Sequence, residues 1–98
     1  MKLEIPFSTR FYPLILSGQK TQTARSRKYG KIGDHFVVSR MKAEITGLEK
    51  VRLQRIMDEQ YRVEGFNSSE EFKRFWMTIH YKWQPEKEFW VHHFEVVE

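Results

Sequence analysis

A helix-to-strand corner near the N-terminus does most to fix the architecture of this chain. The stretch Leu16-Ser17-Gly18-Gln19-Lys20-Thr21-Gln22-Thr23-Ala24-Arg25-Ser26 follows an apolar segment with helical spacing. Gly18 has no Cβ, so it can close that helix in a left-handed conformation. The threonine-containing run after it suits a strand. The corner therefore gathers a lysine, hydroxyls and an arginine on a rigid scaffold, where sites usually form. A basic, glycine-punctuated loop comes next, Arg27-Lys28-Tyr29-Gly30-Lys31-Ile32-Gly33-Asp34.

The elements around the corner follow from local pattern. Lys2 to Ile5 alternates polar and apolar, which predicts a half-buried strand ended by Pro6. Ser8 or Thr9 is placed to cap a short helix through Leu16, with Pro13 near its first turn. Phe11, Leu14, Ile15 and Gly18 share one face of it, a core stripe. A strand then runs from the corner to about Ser26. Phe36 to Met41 reads as a strand with apolar residues on both faces, as in a closed or covered sheet. Ala43 to Leu53 reads as another, with a bend or bulge at Gly47. Ile56 to Gln60 reads as a short helix and Tyr61 to Phe66 as extended chain. Ser68-Ser69-Glu70-Glu71 is a capping box, and Phe72, Phe75, Trp76 and Ile79 follow at helical spacing to about His80. Trp83-Gln84-Pro85 breaks the pattern. Glu88 to Val97 predicts a final strand with Trp90, Phe94 and Val96 on one face. This order of elements predicts an α+β domain: a small curved sheet or β-barrel with two to three helices at its ends.

Composition narrows the setting. A chain of 98 residues predicts one domain over 1–98. Eight Phe and three Trp supply much of the core, each aromatic burying roughly 150–250 Å². With no cysteine, thiolate chemistry and disulfides are excluded, which fits a reducing compartment. No secretory apolar segment opens the chain, and no run approaches the roughly 20 apolar residues of a membrane span. A cytoplasmic protein without a membrane partner is the expectation. The net charge of +4 is concentrated in Arg25, Arg27, Lys28 and Lys31, so the loop is either a solvated surface or a contact for a polyanion such as RNA.

Three residues can carry chemistry. A threonine hydroxyl needs an adjacent base to act as a nucleophile, and a lysine serves only if its pKa falls well below about 10.4. Burial or a neighbouring cation such as Arg25 would lower it. For Lys20 to meet Thr23, the lysine must sit in the turn before the strand, because along a strand Thr21, Thr23 and Arg25 share the other face. Otherwise Lys20 and Arg25 are surface charges and the threonines ordinary strand residues. Glu64, between Val63 and Gly65-Phe66, is either a proton carrier or a structural partner for an arginine. His92 and His93 point to opposite faces, and with His35 and His80 they show no ligand spacing, so no metal or other cofactor is expected. Gly18-Gln19-Lys20-Thr21 lacks the upstream glycine and preceding strand of a phosphate loop. Among Tyr29, Tyr61, Trp76 and Trp83, the loop residue Tyr29 is the best candidate for stacking on a base; Trp76 belongs to the core stripe.

Gly18-Gln19-Lys20-Thr21-Gln22-Thr23-Ala24-Arg25 resembles the signature of the ASCH domain, Gly-x-Lys-x-x-x-x-Arg after the first helix. Gly33-Asp34 before an apolar strand, the Ile45-Thr46 strand, Glu64-Gly65-Phe66 ahead of a helix, and the aromatic last strand match that family along nearly the whole chain. The resemblance implies a PUA-like β-barrel with a cleft for nucleotides or RNA. Some small bacterial members are metal-independent amidohydrolases of N4-acetylcytidine that use a lysine, a threonine and a glutamate. Others are described as ribonucleases or RNA-associated modules, so the family alone does not settle the activity. By motif position the catalytic residues here would be Lys20, Thr23 and Glu64. Arg25, Arg10, Thr21 and Tyr29 would contact substrate, and Arg27, Lys28 and Lys31 a nucleic acid. The implied partner is a modified nucleoside or RNA. The oligomeric state stays open.

Overall fold

The structure, a computed structural model, describes residues 2–97. In chain order it lays down β1 (Lys2–Leu3), a 3-10 turn (Thr9–Phe11) leading into α1 (Tyr12–Ser17), β2 (Gln22–Arg25), β3 (His35–Val38), β4 (Met41–Arg52), α2 (Leu53–Glu59), α3 (Ser69–His80) and β5 (Glu88–Val96). The strands form one sheet in the order β1-β3-β4-β5-β2. All neighbours are antiparallel except β1 on β3, which pairs Lys2 with His35 and Leu3 with Phe36. The sheet is curled as a half-barrel, with α2 and α3 packed together beside it, so the expected α+β architecture holds. Its two edge strands, β1 and β2, do not pair with each other among the described residues.

β4 and β5 form the spine, paired from Ala43↔Val96 to Arg52↔Glu88 with a register shift between Ile45 and Gly47. The expected bulge is thus real. A Cβ at Gly47 would stand 3.2 Å from His93 Cδ2, so this close passage suits glycine. Along β5 the buried side chains change parity between Val91 and His92: Phe89 and Val91 are buried first, then His92 and Phe94. Phe94 packs with Phe36 and Phe7. Phe89 packs with Trp76, which belongs to a second aromatic group with Phe72, Phe66, Phe11 and Phe75.

Several sequence expectations change in detail. The strand read over Phe36–Met41 is a hairpin, because Ser39 takes a left-handed φ of 58° and Val38 pairs with Met41. The helix expected over Ile56–Gln60 begins at Leu53, whose amide donates to Lys87 O. Tyr61 to Gly65 is a set of tight turns rather than extended chain, closed by bonds from Glu64 N to Gln60 O and from Phe66 N to Tyr61 O. Ser8 makes no capping bond through its side chain. Ser68 does: its Oγ accepts from Glu71 N at 3.1 Å, while Glu71 returns to the amide of Asn67 rather than to that of Ser68. The stripe on α3 buries Phe72 and Trp76, but Ile79, near its end, is 54% exposed. On β5, Trp90 is only half-buried although it shares a face with Phe94. No helix of the described residues is long and apolar enough to cross a membrane.

Candidate functional site

Three local devices bring the site together. Gly18 takes φ 83° and caps α1, so the chain reverses and Lys20 lies in the turn before β2. Next, Thr21 N and Gln22 N both donate to Val63 O, which draws the Tyr61–Gly65 turns onto the start of β2. Finally, Gly65 has φ 104°, and a Cβ there would meet Leu14, Phe11 and the Lys20 stem at 3.3–3.5 Å. Glycine is therefore needed for the backbone, in a φ that side chains rarely adopt.

The result is a buried ion pair over an aromatic floor. Lys20 is 3% exposed. Its Nζ donates to Glu64 O at 2.6 Å, lies 3.6 Å from Glu64 Oε1 and sits 4.6 Å above the Phe11 ring. Burial is the main influence on the amine and lowers its pKa from 10.5 to about 8. Glu64 pulls the other way, and Arg25 and Arg10 add to the lowering. Glu64 Oε2 accepts from Gln22 Nε2 at 2.8 Å, and the same amide reaches Gln60 Oε1 at 2.8 Å. Thr23 is buried, and its Oγ1 accepts from Arg25 Nε at 3.1 Å. Arg25 is anchored by a 2.6 Å bond to Pro6 O and lies over the Phe7 ring.

Lys20, Thr23, Arg25 and Glu64 line one cavity of about 270 Å³, closed by Phe7, Tyr29, Trp76 and His80. A lysine near neutrality, a hydroxyl and a carboxylate on one small cavity can move protons and form a covalent bond to a substrate. Tyr29 is half-buried, and the Arg27 guanidinium, 4.5 Å over its ring, holds the phenol below its usual pKa. Arg10 lies apart from the cavity wall. It stacks on Phe11, Phe66 and Phe75 and pairs with Glu71 at 3.8 Å. Thr21 does not join Thr23 in the cavity, because β2 begins only at Gln22; it lines a separate surface opening. Arg27, Lys28 and Lys31 are exposed, with Lys28 Nζ 5.5 Å over Trp90. Among the described residues no three His, Asp or Glu side chains are grouped to hold a metal.

Sequence reasoning missed Gln22, His92 and His80 as site residues. Gln22 is 1% exposed and steers the Glu64 carboxylate. His92 is fully buried. Its Nε2 accepts from Tyr29 N at 2.8 Å, so its Nδ1 carries the hydrogen toward Thr23 O at 3.3 Å. Burial holds this ring below its ordinary pKa, which favours that neutral form. Trp76, a stacking candidate that helical spacing assigns to the core stripe, is both: it is buried and lines the cavity, with His80 stacked on it at 4.0 Å. Adjacent histidines in a strand gave the one available hint, that one ring must face inward.

With this geometry in view, solved structures can be compared. The hypothetical protein PH0355 superposes with a TM-score of 0.76 at 18% identity, covering 99% of this chain and 100% of that one. The ASCH domain from Lactobacillus crispatus JV V101 gives 0.62 at 17% identity, covering 86% of this chain and 68% of that one. The fold is ASCH-like. Protein EF3133 from Enterococcus faecalis V583, a DUF984 protein, gives 0.64 at 22% identity, over 90% of this chain and 67% of that one. No family model and no curated protein matches the sequence. At such identities the likeness speaks for the ASCH-like fold and leaves the chemistry to the residues.

Proposed function

We propose that the chain is a hydrolase that removes the acetyl group from N4-acetylcytidine, with Thr23 as nucleophile, Lys20 as its base and Glu64 as proton carrier. One observation carries this reading: the three side chains line one cavity in which burial brings Lys20 to about 8. Amide hydrolysis needs a nucleophile, a base and an acid for the departing amine. Neutral Lys20 takes the hydroxyl proton as Thr23 Oγ1 bonds to the acetyl carbon. Arg25 already donates to that oxygen, so the hydroxyl hydrogen is left to point at an acceptor. The bond from the acetyl carbon to N4 then breaks. The proton passes from Lys20 through Glu64 to the amine, and cytidine leaves. Water, deprotonated by Lys20, attacks acetyl-Thr23; acetate departs and Thr23 regains its proton. Phe7, Tyr29 and Trp76 offer ring faces to the pyrimidine.

The test is incubation with N4-acetylcytidine while following cytidine and acetate. Turnover that falls about 10²–10⁴-fold in Lys20→Ala is expected for loss of a general base. No turnover by the wild type, or undiminished turnover in Lys20→Ala, overturns the reading.

A second reading is an RNA-binding module. It is favoured by one surface feature: Lys28 and Lys50 both stand over Trp90, at 5.5 and 5.3 Å, close in sequence to the exposed Arg27 and Lys31. This reading predicts salt-sensitive RNA binding that weakens when Arg27, Lys28 and Lys31 are neutralised together. RNA fragments formed by the wild type and absent with Lys20→Ala would make the module a ribonuclease.

A further inference from the structure

The cavity opens beside a larger one. An open cleft of about 680 Å³ is bounded by Glu4, Tyr12, Arg27 and Val37, and shares Pro6, Phe7 and Tyr29 with the cavity that holds Lys20. Phe7 and Tyr29 therefore stand between the two. Arg25 lies 5.9 Å from the Tyr29 ring and belongs to the inner cavity; Arg27 lies 4.5 Å from it and belongs to the outer cleft. Neither guanidinium has a carboxylate within salt-bridge distance among the described residues, where the ion pairs use Arg10, Lys20, Arg52, Arg55 and two histidines. Positive charge is thus left unneutralised on both sides of one tyrosine.

Size and connectivity give this arrangement a use. Ligand cavities for drug-sized molecules run from about 300 Å³ upward, so the inner cavity at about 270 Å³ takes a base and little more. N4 and N1 lie at opposite ends of the cytosine ring. An acyl group held at Lys20 and Thr23 therefore sends the sugar away from them. The outer cleft lies directly across the shared Phe7–Tyr29 wall, and Arg27 is the cation on its far side. A guanidinium suits a phosphate, which it can grip with two parallel hydrogen bonds. Glu4, on the same cleft, marks the side a phosphate avoids.

We infer that the outer cleft is a subsite for the sugar phosphate, with Arg27 as its anion contact and Phe7 and Tyr29 as the sill. The substrate is then a phosphate-bearing acylated cytidine rather than a bare nucleoside. This rests on the hydrolase reading for the placement of the base. The phosphate itself can come from a mononucleotide or from an RNA strand.

The experiment compares kcat/KM for N4-acetylcytidine, its 5′-monophosphate and a short single-stranded oligoribonucleotide carrying one internal acetylcytidine. In parallel, tryptophan fluorescence measures binding of cytidine and cytidine 5′-monophosphate. A preference of about tenfold or more for a phosphate-bearing form at low salt is expected from one charge-assisted contact. It shrinks with added salt and falls toward unity in Arg27→Ala. Arg27→Lys keeps part of it. Lys82→Ala, which removes an exposed cation after α3, leaves the ratio unchanged. The stronger of the two phosphate-bearing forms names the source. A nucleoside that performs as well as both, or a preference that survives Arg27→Ala, overturns the subsite. If no acetylated compound is turned over, the hydrolase reading falls by itself. The binding ratio then decides the subsite, and equal or absent binding of the two ligands overturns it.

Discussion

Burial does two opposed things to Lys20. It makes the amine a usable base near neutrality, and it makes the charged form expensive to keep inside. With an ordinary value of 10.5 and a folded value of about 8, the folded protein binds fewer protons than the unfolded chain between those limits. Stability from this group is full above the unfolded value and is lost as pH falls through about 8. Two outcomes follow. The acid limb of kcat/KM will rise with pH to a midpoint near 8, read from initial rates. The denaturant midpoint will climb between pH 8 and 10.5 in the wild type, and that component will be missing in Lys20→Gln. Gln22 gives a separate test. Among the described residues every buried side-chain nitrogen and oxygen has a partner. Gln22→Leu strips a donor from Glu64 and from Gln60 at once, at a cost of about 1–3 kcal/mol in chemical denaturation. Lys20, Thr23 and Glu64 came together as a candidate set only through the likeness to the ASCH signature and its later Glu64-Gly65-Phe66 stretch, and they line one cavity. Gln22 and His92 were not legible, because their roles rest on partners 42 and 69 residues away. Pattern within a short window does not reach so far.

Elements that announce themselves locally were the readable ones. The Ser68 cap and the periodic run behind it gave α3 its start and end, and Ser68→Ala is expected to cost about 1 kcal/mol in denaturant. The Gly47 bulge and the Gly18 cap were equally plain, since glycine weakens a strand interior unless the backbone must bend there, and past a helix it supplies the left-handed turn. Two turns were misread. Tyr61 to Gly65 carries strand-forming residues, but Glu64 N donates to Gln60 O and Gly65 N to Arg62 O, and Phe66 N closes the turns onto Tyr61 O. The Ser39 turn hid because serine seldom takes a left-handed φ. Gly65 joins this scale to the site. Gly65→Ala forces a side chain into φ 104°, at a cost of about 1–2 kcal/mol. Because Glu64 is its neighbour, the variant is also expected to lose turnover beyond what the folded fraction explains, measured by active-site-normalised rates.

Across the whole molecule, stability is graded from the spine outward. β4 and β5 are interior strands paired along most of their length, so their amides are expected to exchange slowest with deuterium. β1 has two residues and β2 four, each with one sheet neighbour, and both will exchange sooner. The general α+β order could be read from the sequence, whereas the strand order could not, because it depends on which edges the long β4–β5 pair leaves for the short strands. Thr23 rides on β2, held by β5 on one side and at its start by Val63. Warming will therefore loosen the strand of the proposed nucleophile while the spine is still intact. The proposed hydrolysis is expected to fade several degrees before the protein melts, and cooling to bring it back.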